Sequence, residues 1–269
     1  MGACDGYYLY CDLDGTLLDD EKRISSENRS AILSFIEQGG HFGVATGRVP
    51  SLIGAVEHDL PVNAPCILFN GAGLYDLAGQ KFLAMHPIDR DPIARATERL
   101  IALDRETCVQ VFTDTAIYEI NPDQRDDPQT VREQIPTLSL PFPCVSGPLL
   151  KVLVANASSE LETLRSALEQ DGMLSDISAF RSSDTYLELV AKGISKGTTL
   201  EDVRAHCGDV TKILAIGDYN NDLDMVSLAD IGGAPANAID EVKAAADIVL
   251  SVDNNHNCVA RFLEAALGL

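Results

Sequence analysis

Apolar residues in this chain fall into two alternating patterns: short continuous runs and longer stretches at helical spacing. Tyr7-Tyr8-Leu9-Tyr10-Cys11 is continuous and aromatic-rich, which predicts a strand buried on both faces, as in a parallel sheet. Ser25 then offers an N-cap, Ile32, Phe35 and Ile36 recur at helical spacing, and Gly39-Gly40 supplies a stop. A second strand is predicted over Phe42–Ala45, a helix pattern over Leu52, Ile53 and Val56, and a third strand over Cys66–Phe69. Strand and helix in alternation predict a doubly wound parallel sheet.

The rhythm changes after residue 70. Turn signals at Asn70-Gly71-Ala72-Gly73 and Leu77-Ala78-Gly79 flank a predicted hairpin. Beyond it the pattern predicts a helix near Pro92–Leu103, strands at Val109–Thr113, Ile117–Ile120 and Leu149–Ala155, and a helix at Ser159–Gln170. Strands near Ile177–Phe180 and Thr185–Val190 complete an α+β unit. The earlier rhythm returns with a helix at Thr198–Cys207, the strand Ile213–Ile216, a helix at Asp222–Ala229 and the short strand Ile248–Leu250. The fold expected is α/β: a Rossmann-like, doubly wound parallel-sheet core over 1–85 and 188–269, with an α+β cap over 86–187 inserted into it. The chain has no internal repeat.

Charge narrows the function classes. With 41 Asp and Glu against 20 Lys and Arg, the 269 residues carry a formal charge of −21. That charge repels phosphate backbones and anionic membranes, so neither nucleic acid nor membrane is an expected partner. An anionic substrate would need positive charge gathered at one point, from a metal ion, a lysine or arginine, or helix N-termini. The 7 cysteines are odd in number, scattered and without a C-x-x-C pair, which reads as reduced thiols in a cytoplasmic protein. The N-terminus lacks the basic and apolar regions of a signal peptide, and no apolar run approaches the ~18 residues of a membrane span.

Candidate chemistry sits where the predicted core strands end. In Asp12-Leu13-Asp14-Gly15-Thr16, residues two apart on an extended chain share a side, so Asp12 and Asp14 can face one site while Gly15 lets the chain turn. Adjacent carboxylates repel, which favours different jobs: one ionised as nucleophile or metal ligand, the other a proton donor. Asp218, in Gly217-Asp218-Tyr219-Asn220-Asn221-Asp222, follows another buried strand and can complete an oxygen-ligand site with Asp12 for a hard divalent ion such as Mg²⁺. Asp222, at the start of a helix, is either a ligand, a support for the site or a residue stabilising the helix dipole. Thr46-Gly47-Arg48 ends the second strand, where the Thr46 hydroxyl and the Gly47 N–H can donate to a phosphate oxygen. Lys196, just before a helix, can neutralise a bound phosphate, with Lys192 as a competing candidate.

In this order the four motifs resemble the haloacid dehalogenase-like hydrolases, and within them the Cof-type sugar-phosphatase-like branch with a large cap. The resemblance extends to Asn70-Gly71-Ala72, to Leu187–Val190 with Lys196-Gly197, and to Ala236-Asn237-Ala238. Tyr219 and Cys258 depart from it, at positions where similar proteins carry a small or amide residue and a glycine. The resemblance implies that Asp12 is the nucleophile, forming an aspartyl-phosphate, and that Asp14 is the acid and base. It further implies Mg²⁺ held by Asp12, the Asp14 backbone carbonyl and Asp218, and phosphoryl oxygens gripped by Thr46, Gly47, Lys196 and Asn221, with Asp222 in support. The expected protein is a Mg²⁺-dependent phosphatase acting on a small phosphorylated metabolite, sugar phosphates first, as a monomer or small homo-oligomer. A phosphomutase of the phosphomannomutase type and a non-catalytic phosphosugar-binding protein are the alternatives.

Overall fold

The first apolar run forms β1 (Tyr7–Cys11), flanked in a parallel sheet by β2 (His41–Val44). The structure, a computed structural model, describes residues 2–53 and 62–269. The helix pattern at Leu52, Ile53 and Val56 falls partly outside these residues; within them, Pro50–Leu52 is a single 3₁₀ turn. Further along lie β3 (Cys66–Leu68), β4 (Gly73–Asp76) and β5 (Lys81–Met85). Then come β6 (Cys108–Thr113), β7 (Ile117–Glu119), β8 (Leu138–Ser139), β9 (Leu149–Ala155), β10 (Ile177–Ser183) and β11 (Tyr186–Ala191). The last three strands are β12 (Lys212–Ile216), β13 (Ile231–Ala234) and β14 (Ile248–Val249).

By its contacts the chain divides into one unit of Met1–Met85 and Ser195–Leu269 and another of His86–Ile194. The first unit carries a parallel sheet ordered β14-β13-β12-β1-β2. β1 and β12 are buried almost throughout, as continuous apolar strands covered on both faces must be. β3 touches this sheet at one bridge, Ala45 with Ile67, and spends its ladder on the antiparallel hairpin β4–β5. The third strand expected from the pattern is thus the link between two sheets, because Phe69 and Asn70 turn left-handed straight after Leu68.

The helix Ser26–Glu37 starts where the Ser25 hydroxyl accepts the Asn28 N–H, and it buries Ile32 and Phe35. Its chain stops at Gly39, whose φ of +96° is left-handed. The buried Asn28 amide oxygen accepts the Ala260 N–H at 3.0 Å, tying this helix to the C-terminal one, Cys258–Leu267.

The second unit holds a six-stranded sheet ordered β10-β11-β9-β6-β7-β8. The helices Arg90–Leu103 and Ser158–Gln170 cover one face, packing Ile93, Leu100, Leu161 and Leu164 on Val109, Val152, Val154 and Leu189. Strand alternation sends Lys151 and Glu188 to the other face, where both are buried and their charges lie 2.7 Å apart. β11 pairs with β9 and β10, so Glu188–Ile194 belongs to this unit. The return to the first unit falls between Ile194 and Ser195, later than the expected 187/188 boundary, because the sheet retains the whole strand.

Among the described residues no helix is long and apolar enough to cross a membrane. Leu9→Ala, at a fully buried position of β1, should lower unfolding stability by about 2–5 kcal/mol in urea titrations. Leu103→Ala, at an exposed helix end, should stay within about 0.5 kcal/mol of the parent.

Candidate active site

Backbone hydrogen bonds bring the strand ends of the first unit to one level. Asp12 N–H donates to Ile216 O at 3.0 Å, Ala45 N–H to Cys11 O at 2.9 Å, and Thr46 N–H to Ile67 O at 2.8 Å. Asp12, Thr46 and the Gly217–Asp222 loop therefore leave the sheet side by side at its carboxyl edge, where open α/β sheets bind ligands.

Lys196 is fully buried, and its Nζ lies 2.6 Å from Asp12 Oδ1 and 2.7 Å from Asp222 Oδ1. Burial alone would lower its pKa, but the two carboxylates outweigh burial and hold the ammonium above its ordinary value. Asp222 Oδ2 also accepts the Asp218 and Tyr219 N–H groups at 3.1 and 3.2 Å. Asp222 is thus occupied on both oxygens, closing its own loop while aiming Lys196 at Asp12.

Asp218 Oδ1 accepts the Thr16 hydroxyl at 2.9 Å. Gly15, with φ of +86°, passes so close that a Cβ there would sit 2.5 Å from Asp218 Oδ2; only glycine fits this turn. Asn237 Nδ2 braces the turn from the other side by donating to Gly15 O at 2.8 Å. Burial pushes the Asp218 carboxyl up to about 7, helped by the charge of Asp222. Burial also raises Asp12 well above the ordinary value, with Lys196 opposing it and Asp222 and Asp218 adding to it.

Asp14 sits differently. Its side chain is 42% exposed; Oδ1 accepts from Lys22 Nζ at 2.6 Å, and Arg48 forks onto both oxygens through Nη2 at 3.0 and 3.1 Å. Partial desolvation would raise its pKa, but Arg48 and Lys22 together hold it below the ordinary carboxylate range. Leu13, between the two aspartates, is fully buried.

Thr46 is buried and its Oγ1 accepts the Arg48 N–H at 3.3 Å, while Gly47 follows it. Asn221 Nδ2 donates to Asn70 Oδ1 at 3.1 Å. The fold thus gathers Asp12, Asp218, Asp222 and Lys196 by direct contact, pairs Asp14 with Arg48, and joins Asn221 to Asn70, with Thr46 and Gly47 on the adjoining loop. Lys192, the competing lysine, instead donates to Leu174 O within the second unit. Sequence reasoning left Lys22, Asn70 and Thr16 without a role. Asn70 had one usable signal, an asparagine before a glycine at a strand end; Lys22 had none.

Asp12, Asp218 and Asp222 place carboxylate oxygens within 4.8 Å of one another, an all-oxygen set of the kind a hard divalent cation takes. The raised carboxyls of Asp12 and Asp218 fit the same reading, since a cation between them would relieve the repulsion.

A sequence model of the haloacid dehalogenase-like hydrolases matches residues 9–263. The chain belongs to this family. It is similar to a Bacillus subtilis protein named 5-amino-6-(5-phospho-D-ribitylamino)uracil phosphatase, at 28% identity over 95% of this chain and 96% of that one. A crystal structure of a haloacid dehalogenase-like hydrolase from Bacteroides thetaiotaomicron shares the fold, with a TM-score of 0.79, 26% identity, and 97% and 99% of the two chains covered. An Arabidopsis thaliana protein named as a chloroplastic endoribonuclease is 24% identical over 94% of this chain, which spans only 45% of that protein's length.

The Asp218 shift has a signed consequence. With its folded pKa raised to about 7 from 3.8, the native carboxyl keeps a proton that the unfolded chain has already released. In EDTA, stability should therefore fall as pH rises from about 4 to about 7, whereas depressed carboxyls such as Asp14 finish titrating below that window. Melting temperature against pH should show this slope, and Asp218→Asn should make it shallower, leaving the part that comes from the raised Asp12 carboxyl.

Proposed function

We propose that this haloacid dehalogenase-like hydrolase is a Mg²⁺-dependent phosphatase of small phosphorylated metabolites, sugar and polyol phosphates first. The observation that carries the reading is the buried Lys196 ammonium shared by Asp12 and Asp222 beside Asp218 at the carboxyl edge of the sheet. Binding an uncharged ligand would not need such a concentration of charge; transferring a phosphoryl group does, because charge spreads over its oxygens in the transition state. The named substrate of the Bacillus subtilis relative, a phosphorylated ribityl chain, supports the polyol-phosphate class.

In this reading Asp12 attacks phosphorus through the oxygen not held by Lys196 and carries the phosphoryl group as an aspartyl-phosphate. Lys196, Thr46, Gly47 and Asn221 hold the non-bridging oxygens in line with that attack. Asp12, Asp218 and the Asp14 backbone carbonyl would hold Mg²⁺, which supplies charge neutralisation at the phosphoryl oxygens. Asp222 keeps Lys196 aimed. Asp14 enters as a carboxylate bound to Arg48 and Lys22, a state suited to accepting a proton from water. To serve the leaving alcohol, Asp14 first takes a proton from solvent as those contacts open and passes it to the ester oxygen as the P–O bond breaks. As a carboxylate again, it then accepts a proton from the water that hydrolyses the aspartyl-phosphate.

The test is a panel of phosphomonoesters with Mg²⁺ or with EDTA. Phosphate release should depend on Mg²⁺, and Asp12→Asn should lower kcat by more than about 10³-fold with its fold intact. No metal-dependent release from any ester, or an Asp12→Asn variant as active as the parent, would overturn the reading.

A further inference from the structure

Asn70 has no exposed surface and adopts a left-handed conformation, φ 56° and ψ 36°. Asparagine tolerates this region better than most residues. Its backbone N–H donates to Thr46 O at 3.0 Å, and its Oδ1 accepts from Asn221 Nδ2. Among the described residues its own Nδ2 has no hydrogen-bond partner. In this arrangement Asn221 addresses the Asn70 oxygen, and turning the Asn70 amide over by itself would bring two NH₂ groups together. A buried amide without an acceptor costs free energy that native proteins seldom leave unspent.

The orphan group has a definite direction. A Cβ built on Gly47 would lie 2.9 Å from Asn70 Nδ2, so the amide lies over the bare backbone of the loop proposed to grip phosphate. Any side chain at position 47 would cover it. The two residues flanking this spot, Thr46 and Asn221, are both tied to Asn70.

We propose that Asn70 is a phosphoryl-binding residue, its Nδ2 donating to a non-bridging oxygen of the bound phosphate beside Thr46, Gly47 and Asn221. The inference rests on the phosphatase reading and adds a donor to it. Asn70 also sets the Asn221 amide, so the two asparagines act as one pair of neutral donors. Neutral donors complement Lys196 there, because two of its three N–H groups are already held by Asp12 and Asp222.

Asn70→Asp tests the proposal, since it keeps the shape, the tolerance for left-handed backbone and the oxygen that Asn221 addresses, but replaces the donor with an acceptor. Inorganic phosphate with Mg²⁺ serves as probe, with Kd read by calorimetry beside kcat/KM for p-nitrophenyl phosphate. The variant should melt with the parent when no ligand is present, and should lose about 10²-fold in phosphate affinity and in kcat/KM, the scale of one oxyanion donor. Parental Kd and kcat/KM in Asn70→Asp overturn the proposal. Should Asn70→Asp melt early, Asn70→Gly, equally at ease at positive φ, decides by the same two readouts. A parent that neither binds phosphate nor hydrolyses any ester overturns the phosphatase reading instead, so the two failures are distinguishable.

Discussion

An ammonium with no contact with water stays charged only if carboxylates replace its hydration, and Lys196 has two of them at 2.6 and 2.7 Å. Everything else at the site follows from seating this one cation. Asp12 must leave β1 at the level where β12 ends, so β1 and β12 must be neighbours. Asp222 must reach back across its own loop, and so its second oxygen closes that loop on the Asp218 and Tyr219 amides. The cluster nevertheless stays short of balance, one buried cation against three carboxylates. Burial raises the Asp12 and Asp218 carboxyls first and the neighbouring carboxylates add to it, a repulsion that one divalent ion would relieve.

Much of this geometry was legible in the sequence because it rests on local rules. Continuous apolar runs gave the central strands, and a ligand edge follows from parallel strands ending together. Asp12, Asp218 and Lys196 could be singled out because each stands just past a strand or before a helix. Other parts were not legible. β13 escaped the pattern because Ile231-Gly232-Gly233-Ala234 has two residues without side chains; glycine is required there, since a Cβ on Gly232 would meet Val226 O at 2.1 Å. The later boundary at Ile194 depends on pairings of β11 with strands far away in the chain. Sequence likewise assigned Asp14 a proton without showing that Lys22, eight residues on, and Arg48, on another loop, would hold that carboxyl ionised.

The acidity of the whole chain also takes on a different weight. A charge of −21 acts on an approaching anion at long range, whereas the site acts at contact distance. Arg48 and Lys22 stand at the outer side of Asp14, and Lys196 at the inner side of Asp12. Cations therefore flank the two carboxylates of the first motif, and most of the remaining negative charge is left to the solvated surface.

The pairing of Asp12 with Lys196 also spans 184 residues of chain, and the second unit is contiguous within that span. During synthesis the stretch 86–194 can close its own sheet while the catalytic halves are still unjoined, because its contacts need nothing made later. β12, which must slot beside β1, emerges only afterwards, so the first unit's parallel sheet is completed after the second unit's sheet can close. Until then the nascent chain exposes the edge of β1, an apolar strand with no partner on that side. An order of assembly, and an interval of exposure to misassociation, are thus written into where the insertion falls.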